Sequence, residues 1–240
     1  MAAWRKCSGG IGLLSSPRWI TLSIAVSQDG EDKPPRLNVR GAATRARILR
    51  SAADLMHVKG VAATTLEDVR AASGTSKSQL YSHFPDRDAL VREVISLQAA
   101  EVLARNERQL RRLDSFRGLE LWRDAIVRRN ALHGGAYGCE LGSLANELAD
   151  QDEDARAALA THFRTWQELL AAGLERMRRN GALRGETDPG ELATGVIAAL
   201  QGGYLLAQTE RSTRPMEIAL DMALAHLRAL APDGPAGDAE

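Results

Sequence analysis

Lys77, Ser78 and Gln79 stand in a row inside the run TTLEDVRAASGTSKSQLYSHF, from Thr64 to Phe84, and are the side chains here best suited to reading another molecule. A glutamine amide pairs bidentately with the edge of adenine, a lysine reaches guanine or a phosphate, and a serine hydroxyl donates or accepts. Tyr81 and His83 follow as donors suited to phosphate oxygens, contacts that position a partner without specifying sequence. Bond-breaking chemistry finds no comparable cluster. The five histidines, His57, His83, His133, His162 and His226, make no HExxH or other metal-ligand spacing, and no GxSxG or phosphate loop occurs. An enzyme, a metal site and a cofactor are therefore not expected. Cys139 follows Gly138 at a predicted helix start, where the helix dipole lowers a thiol's pKa, although Glu140 beside it acts in the opposite sense. A buried, inert thiol is the expected state, with a reactive one as the alternative. With Cys7 as the other cysteine, neither a disulfide framework nor a zinc site is available, and a reducing cytoplasm is the expected compartment.

Two short helices must hold that row in place. Thr64 and Glu67 read as a capping box, in which hydroxyl and carboxylate satisfy orphan amides at a helix start. Leu66, Val69 and Ala72 recur at three-residue spacing and give this helix a core face. Gly74 ends it, because glycine takes left-handed backbone geometry without a Cβ clash. Ser76 and Gln79 repeat the capping box, while Leu80 and Phe84, four residues apart, face inward and leave Lys77, Ser78 and Gln79 exposed. The pattern is a helix-turn-helix whose second helix offers its N-terminal residues, the part that meets base edges in a major groove. A capping role for Gln79 competes with base contact. Upstream, Ile48, Leu49, Ala52, Leu55 and Met56 form one stripe of a helix predicted from Thr44 to Gly60, with Arg45, Arg47 and Arg50 off the stripe. Downstream, Pro85 and Asp86 form a turn into a further helix with Arg87 in its first turn, where free amides and the macrodipole collect phosphates.

These residues resemble the N-terminal domain of the TetR family of transcriptional regulators. The resemblance is carried by Thr64, Thr65, Gly74, Ser76, Lys77, Leu80, Tyr81 and Phe84. It extends upstream through Thr44, Arg45, Ile48, Ala52 and Gly60, and downstream through Asp86, Arg87, Leu90 and Val91. It spans roughly 50 residues, the size of a small domain. It implies that Arg87 anchors DNA and that the long helix beginning there transmits ligand binding by moving. The expected DNA-contacting set is Arg45, Thr65, Lys77, Ser78, Gln79, Tyr81, His83 and Arg87. The segment GCELGSLANELA also looks like that of a subset of the family in which a cysteine senses electrophiles, which makes a redox- or electrophile-sensing repressor acting through Cys139 one alternative. A helical interaction protein without DNA binding is the other.

Charge is distributed to match. The chain of 240 residues has a formal net charge of zero, yet ten basic against six acidic side chains between Arg36 and Leu97 make that segment about +4, and the remainder after it is about −5. Aromatic content of 4% with abundant alanine, leucine and arginine favours helices over sheets. No apolar run approaches the roughly 18 residues of a membrane helix, and the apolar stretches near the start are too interrupted for a signal peptide. The expected organisation is all-α: a disordered tail over 1–40, a three-helix helix-turn-helix DNA-binding domain over 41–88, a helical ligand-binding and dimerisation domain over 89–231, and a disordered tail over 232–240.

Within the second domain, helices are predicted over Leu119–Leu132, Glu140–Leu148 and Ala155–Arg179, with two more opened by Pro189 and Pro215. Ala219, Met222, Ala223, Leu227 and Leu230 form the expected core stripe of the last. Trp122, Tyr137, Cys139, Trp166 and Tyr204 are the candidate lining of a pocket for a small apolar ligand. Ala198, Ala199, Gly202 and Gly203 allow close helix approach, and the resemblance implies that the last two helices pair with their copies in a homodimer. Expected partners are thus a palindromic double-stranded operator, a small-molecule ligand and a second copy of the chain, with no membrane.

Overall fold

Side-chain caps and apolar periodicity set the helix limits throughout. A computed structural model describes residues 39–232, so nearly all of the two tails expected to be disordered lies outside the described residues. Nine helices and no strand occur among those residues: α1 Val39–Lys59, α2 Leu66–Ser73, α3 Lys77–His83, α4 Arg87–Leu110, α5 Phe116–Ala131, α6 Glu140–Leu148, α7 Glu153–Arg179, α8 Pro189–Glu210 and α9 Arg214–Ala229. The first begins at Val39 rather than Thr44, so the boundary expected after residue 40 falls inside a helix. Asp86, Ser115, Asp152 and Asp188 each cap a helix by accepting from an amide in its first turn. None of these helices is long and apolar enough to cross a membrane.

The head is α1 to α3. Ile48, Ala52 and Met56 bury one face of α1 against α2, α3 and α4. Two expectations shift by one residue. The capping box of α2 uses Thr65 and Asp68, not Thr64 and Glu67: the Asp68 amide donates to the Thr65 hydroxyl at 3.1 Å and the Thr65 amide to the Asp68 carboxylate at 3.0 Å. Thr64 is instead buried, with its hydroxyl donating to the Gly60 carbonyl at 2.7 Å, and Glu67 pairs with Arg70. Val69 is buried as expected, and Ser73, four residues further on, is buried in place of Ala72. The Ser73 hydroxyl satisfies itself against the Thr75 hydroxyl at 2.8 Å. Gly74 closes α2 at φ 61°, ψ 34°, a left-handed conformation that glycine adopts at little cost.

The body stacks α8 between α7 and α9, with α4 against α7 and α5 against α4 and α9. One apolar cluster runs from Ile48 in α1 to Leu227 in α9. Trp122 and Trp166 belong to that cluster, 0% and 2% exposed, and the Trp122 indole N–H donates to Asn106 Oδ1 at 2.9 Å. Arg176 on α7 ties down the body end of α4 by donating to the carbonyls of Leu110 and Leu113, groups that a helix C-terminus leaves unpaired. At Gly203 a Cβ would lie 2.9 Å from Met216 Cα, so the missing side chain sets the spacing of α8 and α9. The expected inward stripe of α9 is corrected: Met216, Leu220, Leu224 and Leu227 are buried, whereas Met222 is 69% exposed and Ala219 and Ala223 are only half-buried. Leu227 of the expected stripe is buried and Ala223 and Leu230 pack against the core, so the inward face is turned from the expected one and overlaps it.

Candidate functional site

The turn at Gly74 and Thr75 delivers α3 with its first residues uncovered. Ser76 is the N-cap, its hydroxyl accepting from the Gln79 amide at 3.2 Å while Gln79 Oε1 accepts from the Ser76 amide at 2.9 Å. Leu80 and Phe84 are each 1% exposed and anchor the opposite face. Lys77, Ser78, Gln79 and Tyr81 consequently face solvent together, with His83 half-buried. Lys77 Nζ lies 6.0 Å from the centre of the Tyr81 ring and makes no ion pair among the described residues. Thr65 is exposed at the start of α2, though its hydroxyl is engaged by Asp68.

The two arginines of the expected set are more committed. Arg45 pairs with Glu93 on α4 at 2.8 Å and its guanidinium stacks 5.1 Å from the centre of the Phe84 ring. Arg87 Nη2 donates to the Val61 carbonyl at 2.5 Å, so the side chain holds the α1–α2 loop. Arg47 donates to the Ser73 carbonyl at 2.8 Å, and Arg50 pairs with Glu101 at 2.5 Å. Sequence reasoning missed the counterpart of Arg87 on that loop. Glu147, near the end of α6, accepts from the Val61 amide at 2.7 Å and the Ala62 amide at 3.2 Å, and a Cβ at Gly60 would stand 3.1 Å from its oxygens. The loop of the head is thus clasped by α4 and α6 at once. A lone glutamate 86 positions away carries no local signal of this role.

The five residues expected to line a ligand pocket fall in three places. Trp122 and Trp166 are core packing, as described above, because their rings fill the space between helices instead of bordering an opening. Tyr137 and Tyr204 border a cavity of about 80 Å³ whose other walls include His57, Arg105, Arg129, Asn130 and Glu140. The walls are charged, not apolar. Tyr137 reaches it from a loop, at φ 69°, and remains 39% exposed. Arg105 pairs with Glu140 at 2.7 Å. Burial pushes the His57 imidazole below its ordinary value, with Glu140 acting against the shift, and burial pushes the Tyr204 hydroxyl up. Cys139 lies on the other side of Tyr204, facing Gln201 in a cleft of about 30 Å³. Cys139 is 4% exposed, and burial pushes its thiol pKa up despite opposing hydrogen bonds from Gly142 and Gln201. Burial of Cys139 accords with the expected buried thiol and not with the lowering a helix start would give: desolvation disfavours the thiolate more than the amides favour it.

Comparisons with known proteins agree with this architecture. Residues 48–94 match the family described as bacterial regulatory proteins, tetR family, and residues 117–222 match the transcriptional regulator LmrA/YxaF-like C-terminal domain. The chain is 27% identical over 187 residues to an uncharacterised HTH-type transcriptional regulator in the lacX 3′ region of Lactococcus lactis subsp. lactis, covering 75% of this chain and 90% of that one. It is 30% identical over 172 residues to ArpR, a probable HTH-type transcriptional regulator of Pseudomonas putida, covering 66% and 77%. A crystal structure of a regulatory protein TetR from Rhodobacter sphaeroides shares the fold with a TM-score of 0.68 at 22% identity, over 76% of this chain and 98% of that one. With the helix-turn-helix in place at α2 and α3, the chain belongs to the TetR family of transcriptional regulators.

Proposed function

We propose that this protein is a homodimeric repressor of the cytoplasm that binds a palindromic operator and leaves it when a small molecule enters the body. The observation that carries the reading is the uncovered N-terminal turn of α3, where Lys77, Ser78 and Gln79 stand free of the core on a helix braced from behind by Leu80 and Phe84. One such helix reads few bases, so specific recognition requires two heads about one helical turn of DNA apart, and a palindrome follows from the two-fold symmetry of the pair. Repression needs only that the bound dimer exclude other proteins from the same DNA. Lys77, Ser78 and Gln79 contact base edges in this reading, with Arg45, Thr65, Tyr81, His83 and Arg87 on the phosphates. Arg45 and Arg87 serve as phosphate ligands only by sharing their guanidinium donors with Glu93 and Val61.

Selection from a random duplex library, followed by titration of the winning sequence at several salt concentrations, tests the proposal. A palindromic motif is expected, with affinity falling steeply as salt rises. Lys77→Ala is expected to weaken binding to that motif by about 1–3 kcal/mol and to relax specificity at one position. An equal loss on random DNA reassigns Lys77 to a phosphate, and no enrichment from folded dimer rejects the reading.

A further inference from the structure

His57, Arg105, Arg129, Asn130, Glu140 and Tyr204 come from five helices, α1, α4, α5, α6 and α8, and meet at the 80 Å³ cavity. That space is roughly the liquid volume of two to three waters, too small for a drug-sized ligand and large enough for a few heavy atoms. Its polar atoms are not satisfied from within. His57 Nδ1, Arg105 Nε and Asn130 Oδ1 are buried with no hydrogen-bond partner, and Asn130 is only 5% exposed. Leaving such groups unpaired is costly, which favours an occupant with polar atoms of its own.

The charge of the wall narrows the occupant. Arg105 and Glu140 neutralise each other at 2.7 Å. The Arg129 guanidinium forms no ion pair or hydrogen bond among the described residues, so one positive charge is left uncompensated. Burial biases His57 toward its neutral form, while His133 and Tyr137 are exposed. A single excess positive charge beside a carboxylate suits a monoanion and disfavours a dianion. The guanidinium fork matches a planar carboxylate in bidentate geometry. Asn130 can turn its amide to present N–H, and the Tyr204 hydroxyl remains a donor.

We propose that this cavity binds a small aliphatic monocarboxylate, of the size of acetate or propionate, with its carboxylate on Arg129 and its short tail toward the Ala136 and Gly138 wall. The occupant touches α1 through His57, three residues before the loop that begins at Gly60, and touches α6 at Glu140, whose far end clasps the same loop through Glu147. The consequence for DNA rests on the ligand-release reading above; the binding itself does not.

The full chain is titrated calorimetrically and by thermal unfolding with sodium propionate, propionamide, sodium chloride and sodium phosphate at matched ionic strength. Saturable binding of one propionate per chain with a rise in Tm is expected, and none from the uncharged amide. Arg129→Gln is expected to raise the Kd about tenfold or more while leaving the unliganded Tm in place, since it removes no internal ion pair. Tyr204→Phe provides a second, milder loss, and Arg128→Gln, on the exposed side of the same helix, keeps full binding. Equal effects of propionamide and propionate, binding of phosphate or chloride at the same concentration, or unchanged binding in Arg129→Gln would overturn the proposal. Propionate that binds without weakening operator affinity supports the site and rejects ligand release by this route. A different compound that releases DNA while propionate does not bind rejects the site and leaves ligand release standing.

Discussion

Gln79 is held before any partner arrives. Its Oε1 closes the cap on Ser76 while its amide nitrogen stays free, so base pairing through both atoms requires the second lone pair of that oxygen or release of the cap. In the proposed function the same residue both shapes the helix and reads from it. His57 shows the converse case, a side chain whose behaviour is set by distant neighbours. Its folded pKa lies below the ordinary 6.5 because burial penalises the imidazolium. Above the unfolded value both states are neutral and nothing is lost. As pH falls through 6.5 toward the folded value, the unfolded chain takes up protons that the folded chain refuses, and stability declines. Urea unfolding in carboxylate-free buffers from about pH 7.5 to about pH 5.5 is expected to show that decline, and His57→Gln to flatten it. An unchanged slope in the variant would remove His57 from the account. Cys139 was legible as a helix-start thiol, but its burial was not, because part of its cover comes from Tyr204 and Leu205 on α8, more than 60 positions away.

Among the elements, α6 is the one that touches both ends of the problem. Glu140 at its start pairs with Arg105 in the cavity wall, and Glu147 near its end holds the amides of Val61 and Ala62. Nine residues thus connect a polar cavity to the loop that leads into α2. Meanwhile α4 is fixed at its body end by Arg176 and grips the same loop through Arg87 at its head end. Any shift of α6 against α4 must deform residues 60–62. Glu147→Ala leaves two amides without their acceptor and is expected to cost about 1 kcal/mol, toward the low end because water reaches the exposed Ala62. Hydrogen exchange at Val61 and Ala62 should accelerate in that variant while exchange in α8 stays unchanged. Unaltered exchange at both amides would show that the clasp does not hold the loop. The helices themselves were plain from caps and periodicity: the predicted limits of α6 and the end of α7 match the structure, since those signals act within one turn.

At the scale of the whole molecule, α8 and α9 leave a continuous apolar face uncovered. Gly195, Ala198 and Gly202 line it on α8 beside the exposed Leu205 and Leu206, and Ile218 and Met222 continue it on α9. A Cβ at Gly195 or Gly202 would meet nothing within 4 Å in the chain, so these glycines are not demanded by internal packing. In the proposed homodimer a second copy covers this face, and the two-fold symmetry of the pair presents both α3 helices to one operator. Met222→Glu is expected to yield folded monomer in analytical ultracentrifugation and to abolish tight operator binding, because it introduces a charge at a residue that contributes little to its own chain's core. A dimer that survives this change would place the contact elsewhere. The sequence by itself determined the all-helical class, the helix-turn-helix and the turn at Gly74, since each depends on neighbours within about four residues along the chain. Only the tertiary structure decided which residues of α9 turned inward, that Cys139 is buried, and that the cavity is polar. Desolvation and the convergence of five helices depend on residues far apart in the chain, and no local spacing records them.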